Sequence, residues 1–473
     1  MLTSPTFRRS LLASGSLATL LLLAGCDDLT QIDSVTDPNN ASIESVLTNA
    51  SLPQLNALAV GTEASLRLGH LGNSTNNQVL GTLGREVTVL AQTESRWYFE
   101  LQGRASPTAS INQLDDAAFY NGQYTGFARV GRAARVFRAS AANSSVIDAT
   151  QKSGVDGFTR TYEALSKLHL LMLQGDNGIR VDLDNIERPG PFVARDAALT
   201  NIRQQLDEAN TNLGAAGSTF FFPLSSGYAG FNAPATFAQV NRGLAARVAL
   251  YQKDYAGALT AIGASFYSRT AALGLGPKMV FSATTASDAG NAYFQVADGS
   301  PSALVSVPTN FVTEAETGDL RLAKAPIRTT PLTVGGITGV YEARVFPTQN
   351  SPLDIIRNEE LLLIAAEARA NTGDLAGALA DINVIRTRAG GLPALTAAQL
   401  PNLEAYINEI LRQRRYSLFY EGHRLVDLRR LDRLRTQVAP NQTLPFSTTP
   451  FKLFPNLERP AAEKAFDAAN PTP

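Results

Sequence analysis

Two hexapeptides constrain the fold more than any other feature of the chain. Asp254-Tyr255-Ala256-Gly257-Ala258-Leu259 and Asp374-Leu375-Ala376-Gly377-Ala378-Leu379 differ at one position in six and stand 120 residues apart. Each follows at once on an alanine-rich stretch with helical character, 236–252 and 358–371. Aspartate caps a helix because its carboxylate accepts from the first free backbone N–H groups. The small Ala and Gly residues let two antiparallel helices approach closely. The sequence therefore asks for two helical hairpins. Two further helices are read from apolar residues at three- and four-residue steps: 124–139 with Phe127, Val130, Ala134 and Phe137, and 158–174 with Tyr162, Leu165, Leu168 and Met172. Gly175-Asp176-Asn177-Gly178 stops the second.

Ala246 and Ala366 lie eight residues before the two aspartates, and with them each hairpin resembles a tetratricopeptide unit. The pairs are not tandem, so a simple solenoid is not expected. Residues 215–234 and 273–345 are rich in Gly, Pro, Ser, Thr and aromatics and show no clear period. Segments this long read as functional loops or an inserted subdomain. The expected fold is mainly α: helix pairs with long irregular loops, the 214–345 insertions forming a second, ligand-facing subdomain. The tail from 440 to 473 holds seven of the 24 prolines, which predicts an extended strap.

Charge narrows the function classes. With 41 Lys+Arg against 42 Asp+Glu, the 473-residue chain lacks the positive footprint of a nucleic-acid binder. No run of 18 apolar residues occurs. The one cysteine excludes a disulfide framework, and three histidines scattered along the sequence, His70, His169 and His423, make a poor zinc centre. That cysteine closes a leader: Arg8 and Arg9 precede an interrupted apolar stretch ending in Leu23-Ala24-Gly25-Cys26, which resembles a bacterial lipobox. Residues 1–25 are then a signal peptide, Cys26 is the lipidation site, 26–41 form a polar tether and 42–473 the body. Without Arg8 and Arg9, 39 basic residues face 42 acids, a net charge of −3.

From Arg357-Asn358-Glu359-Glu360-Leu361 through Glu367-Ala368, and from Glu409 to Tyr420-Glu421-Gly422-His423-Arg424 with Val426-Asp427-Leu428-Arg429-Arg430, the chain resembles the RagB/SusD family of nutrient-binding outer-membrane lipoproteins. The resemblance is densest over 357–431, the C-terminal helix pair and signature. It implies a SusD-like body that is not an enzyme and needs no cofactor. The implied role is to capture an oligomeric nutrient, glycan before peptide, at the cell surface and pass it to a SusC-like TonB-dependent β-barrel in the outer membrane. The chain departs from the family at its end, where Leu453-Phe454-Pro455-Asn456 only partly matches the usual Phe-Pro-Ile-Pro, and in a shorter middle segment. Glu367, Arg414, Arg415, Glu421, Arg424 and Asp427 are expected to pair where helices pack, because charges near a core need partners.

Catalytic constellations are missing from the sequence. No spacing selects two carboxylates for glycoside hydrolysis, and neither a phosphate-cradling loop nor a Gly-x-Ser-x-Gly elbow occurs. His423 and Asp427 have the His-x-x-x-Asp spacing of some transferases but read as part of a packed helix junction. Asp176, Asp182, Asp184 and Glu187 are grouped hard-oxygen residues without the spacing of a calcium loop, and read as a solvated turn. Binding is the better reading, since sugar rings pack on flat aromatic faces while their hydroxyls take hydrogen bonds. Arg96, Trp97 and Tyr98, with the only Trp of the chain, form the first candidate platform; Tyr228 and Phe231, then Tyr293 with Phe294, follow. Phe220-Phe221-Phe222 reads as packing. The competing classes are a tetratricopeptide-like lipoprotein scaffold for an envelope complex, which never touches nutrient, and a divergent surface hydrolase.

Overall fold

Fourteen α-helices and eight strands make up the described part of the chain. The computed structural model describes residues 43–71, 75–103, 114–185, 187–283, 289–299, 302–434 and 453–471; the leader, Cys26, the tether and the proline-rich stretch 440–452 lie outside them. In chain order the helices are α1 Ile43–Asn49, α2 Leu52–Leu71, α3 Asn76–Leu83, α4 Gly122–Asn143, α5 Ala149–Gln174, α6 Arg195–Gly214 and α7 Pro234–Gln252. They continue as α8 Tyr255–Gly263, α9 Thr309–Thr313, α10 Asn358–Asn371, α11 Leu375–Arg388, α12 Leu403–Ser417, α13 His423–Arg430 and α14 Ala461–Ala469. The strands are β1 Thr88–Ala91, β2 Ile179–Arg180, β3 Phe192–Val193, β4 Lys278–Met279, β5 Ala303–Val307, β6 Ile327–Val334, β7 Ile337–Glu342 and β8 Leu353–Asp354.

The mainly α expectation holds, and both helices read from periodicity are present: 124–139 lies within Gly122–Asn143, and 158–174 within Ala149–Gln174, which starts nine residues earlier. Helix α5 starts at Ala149 because Asp148 and Gln151 close a capping box: Gln151 N donates to Asp148 Oδ1 at 2.8 Å and Asp148 N to Gln151 Oε1 at 3.0 Å. Both hairpin turns are built alike. Asp254 Oδ1 accepts from Gly257 N, and Asp374 Oδ1 from Gly377 N, each at 2.9 Å. Glycine at both donor positions lets the capping carboxylate lie close against the backbone, where a Cβ would make its Oδ2 shift.

Hairpins that are distant in sequence meet in space. Helices α2, α4, α5, α6, α7 and α8 pack each on the next; α8 then packs on α10, which packs on α11 and α12. The frame is thus one continuous series of helices, and the excursion 264–357 leaves it after α8 and returns at α10. Within that excursion the sequence reading expected irregular loops, whereas the structure forms most of an antiparallel sheet in the order β1-β5-β7-β6. Thr88 pairs with Ser306, and Ser306 in turn with Glu342. Gly335 and Gly336, at φ 58° and 75°, make the two-residue turn between Val334 and Ile337. The tail also differs from expectation: 453–460 is extended, but the proline-free run after Pro460 coils into α14. That helix is fastened by Arg180, whose guanidinium binds Glu463 at 2.8 Å and Asp467 at 2.5 Å and lies over the Phe192 and Phe466 rings.

The C-terminal signature is a buried charge lattice. Arg247 grips Glu360 with two hydrogen bonds of 2.6 Å, Arg414 holds Asp427 at 2.6 Å, and Arg430 bridges Glu367 and Asp427. Arg357 joins Glu359 to Glu421. Burial pushes Glu360 and Asp427 up, but the arginines beside them outweigh it and hold each carboxyl at about 2. Four of the six expected charges pair inside the signature; Arg415 instead reaches Glu314, and Arg424 faces Glu86.

Candidate functional site

The aromatic residues predicted for ligand binding occupy three separate places, and all but the half-buried Phe294 have covered rings. Trp97, 5 % exposed, packs on Phe119 with centroids 5.0 Å apart. Tyr98 is buried under the β6–β7 turn, where Gly335 leaves room for its ring. Arg96 stays 40 % exposed, paired with Glu94 at 2.7 Å and laid over the Phe119 ring at 5.1 Å. Phe231 is buried against Phe266, and Tyr293 against Phe346 and Tyr420. Stacking a sugar needs an open ring face, which none of these buried rings presents in this conformation. Phe222 is core and Phe220 stacks on it at 4.8 Å, so the Phe220-Phe221-Phe222 run packs.

Tyr228 borders a cavity of substance. One face of α2 (Val60, Glu63, Ala64, Arg67), the turn 223–228 and the strand β4 enclose an apolar groove of about 260 Å³. Its polar groups are fixed in place: Glu63 accepts from Ser225 N at 3.0 Å and from the Ser225 hydroxyl, and Arg67 Nη1 donates to Val280 O at 2.9 Å. Lys278 pairs with Asp354 at the opposite wall. Tyr228 contributes its edge, its hydroxyl 2.5 Å from that of Tyr162; burial, with Glu63 nearby, pushes the phenol far above its ordinary range and keeps it a neutral hydrogen-bonding group. An apolar floor with a carboxylate, a guanidinium and an ammonium at its rim suits a ligand that mixes C–H faces with hydroxyls. Glu63 and Arg67 were missed in the sequence. Their i, i+4 spacing on an amphipathic helix was the available signal, but it is shared by ordinary surface pairs.

The three histidines, distant in sequence, converge on one buried cavity of about 30 Å³, also lined by Arg247, Glu360 and Glu421. This corrects the view of them as scattered. The His70 and His169 rings meet edge to face at 4.9 Å, and His169 stacks on Phe127 at 4.3 Å. His423 Nδ1 lies 3.4 Å from the Tyr251 hydroxyl and its Nε2 3.8 Å from Glu360. Burial lowers His70 to about 3 and His423 to about 4, and drops His169 well below its usual value, so all three stay neutral at pH 7. Asp427 is taken by Arg414 and Arg430, so the His423–Asp427 spacing belongs to the packed junction. Asp176, Asp182, Asp184 and Glu187 line no cavity of this kind, and among the described residues no group of three His, Cys, Asp or Glu could hold a metal ion.

Comparison with known proteins agrees with this architecture. Residues 341–464 match the SusD family. No curated protein matches the chain. Surface glycan-binding protein A from Bacteroides thetaiotaomicron superposes with a TM-score of 0.67 at 14 % identity, covering 90 % of this chain and 99 % of that one. A SusD superfamily protein from Bacteroides vulgatus ATCC 8482 gives 0.63 at 14 % identity, covering 88 % and 97 %. A laminarin-binding SusD-like protein gives 0.57 at 19 %, again covering 88 % and 97 %. The body therefore has the SusD-like fold. The C-terminal signature, 357–431, lies inside the segment that matches the family.

Proposed function

We propose that this chain binds an oligomeric nutrient, a glycan rather than a peptide, at the cell surface and delivers it to a SusC-like TonB-dependent transporter. The observation that carries this reading is the preformed apolar groove beside Tyr228 in a SusD-like body. Glycan is favoured over peptide because two of the matched folds are described as glycan- or laminarin-binding proteins. The chain's part is capture without turnover, and energy for transport comes from the partner. In this reading the protein is attached to the outer membrane, facing outward, by a lipid on Cys26, which the lipobox-like Leu23-Ala24-Gly25-Cys26 supports.

Calorimetric titration of the mature chain with polysaccharides, oligosaccharides and peptides tests the reading. Saturable binding of one glycan class, abolished by Ala64→Trp, which fills the groove from a half-exposed position, is the expected result. Binding that survives Ala64→Trp moves the site away from the groove. Absence of binding across the panel, with a protein complex still co-purifying, supports the scaffold instead. Cys26→Ser is expected to leave the body folded and to come off membranes in a high-salt wash; retention through that wash would refute the lipid anchor.

A further inference from the structure

Along α4 the solvent face carries Arg129 and Arg132, both exposed and neither with a partner among the described residues. Beside them Arg135 and Arg138 share a single carboxylate, Glu163, at 3.1 and 2.9 Å, and Lys167 stands 3.6 Å from the same group. Asp156, the other acid on this side of α5, lies near Arg138 and Arg160, and Arg160 already reaches Glu208 at 2.8 Å. The face is therefore strongly cationic on a chain whose net charge is −1. Such a surface attracts dispersed negative charge without selecting a shape.

The arginine row also points along the helix to where the chain enters the body. Steps of three and four residues lead from Arg129 and Arg132 through Val136 and Ala139 to Asn143, and Asn143 Nδ2 donates to Leu47 O of α1 at 2.8 Å. Ser144 Oγ donates to Ala50 O at 2.7 Å and Ser145 N to Asn49 Oδ1 at 2.9 Å, which seats α1 on the end of α4. Arg132 thus stands about 16 Å along the axis from that junction. The 16 residues between Cys26 and Ile43 span at most about 60 Å when extended. A lipid on Cys26 holds the membrane surface within reach of this face.

We infer that the arginine face of α4 docks on the phosphate-bearing headgroups of the membrane into which the Cys26 lipid inserts, fixing the orientation of the body above the bilayer. The inference rests on the lipid-anchor reading and is independent of which nutrient is bound. Two exposed arginines near an anionic bilayer contribute on the order of a 25-fold gain in partitioning, and salt screens it.

Sedimentation with vesicles tests it, using the mature chain carrying Cys26→Ser so that no lipid chain contributes. Partition into vesicles of phosphatidylcholine and phosphatidylglycerol mixed three to one is expected, with none into phosphatidylcholine alone. It should fall about 25-fold in Arg129→Ala/Arg132→Ala and disappear in high salt. Both arginines are exposed and unpartnered among the described residues, so the thermal melt and glycan calorimetry of the double variant should match the parent. Three results would overturn the inference: no dependence on phosphatidylglycerol, undiminished partition of the double variant, or unaffected vesicle binding together with loss of a co-purifying protein, which would reassign the face to an acidic protein. Failure of the lipid anchor itself is read separately, from release of the wild-type chain by salt alone.

Discussion

The hairpins α7–α8 and α10–α11 share a turn and little else. Asp254 and Asp374 cap with the same bond at the same distance, yet the residue before the cap is Lys253 at φ 60° in one and Gly373 at φ 90° in the other. Around the first hairpin, Arg203 and Arg242 pair with Asp207, whose side chain is 48 % exposed. Around the second, Asp381 is fully buried and accepts from Tyr267 and Arg269 at 2.6 Å and from Arg369, while Glu367, also fully buried, is held by Arg430. A local rule writes the turn, and the tertiary surroundings decide how much of the fold depends on it.

Acid should act most strongly, at the place where the two hairpins meet through Arg247 and Glu360. The three histidines have folded values below their unfolded value, so the unfolded chain takes up protons that the native state refuses and stability falls as pH drops below about 6.5. Glu360 and Asp427, held at about 2, add stability above pH ~4.5 that is lost as pH falls further. Both effects have the same sign. The three histidines alone should lower the unfolding free energy by about 5 kcal/mol between pH 7 and pH 5, while Glu86, whose buried carboxyl is pushed up to about 8, opposes part of that fall; urea titrations should show a net drop, and a flat profile would break the account of the cavity.

Glu367→Ala comes next. It leaves Arg430 buried beside Asp427 alone, with an expected cost of about 3–5 kcal/mol in urea denaturation. A loss under about 1 kcal/mol would erase the contrast between the hairpins. The caps sharpen it from the other side: Asp254→Ala and Asp374→Ala should each cost about 1 kcal/mol, with the slightly larger loss at Asp374, whose carboxylate has Arg369 at 3.6 Å where Asp254 has Arg203 at 4.0 Å. Lys253→Gly is the smallest change, a gain of about 0.5 kcal/mol in thermal melts from relief of the left-handed backbone.

Much of the helical frame was legible, because a turn fixed by Asp at the cap and Gly three residues later leaves a signature within six residues. The limits of Asn358–Asn371 follow from the sequence without adjustment. The sheet was harder. Its pairs join Thr88 to Ser306 and Ser306 to Glu342, contacts with no local spacing, and its one local signal, Gly335-Gly336, was passed over in the sequence. The aromatic candidates show a second limit. A lone Trp beside Arg and Tyr reads equally as a platform or as core, and the choice depends on Phe119, 22 residues away, and on a β-turn more than 230 residues later. The groove at Tyr228 has the same character, since its walls come from α2, the 223–228 turn and β4. Convergence of His70, His169 and His423 is a property of packing order and leaves no trace in spacing.

The contact of α8 with α10 means that the chain leaves the frame at 264 and re-enters it beside its point of departure. A segment whose two ends are already neighbours can change in length at little thermodynamic cost, because closure entropy rises only with the logarithm of loop size, about 0.6 kcal/mol for each doubling. The intervening stretch, which carries β4 to β8 and part of the groove wall, can therefore diversify while the helices on either side stay as they are. Such change is confined to its exposed turns, because Tyr267 and Arg269 on Asp381, and Tyr293 on Tyr420, tie the rest of the stretch into the frame.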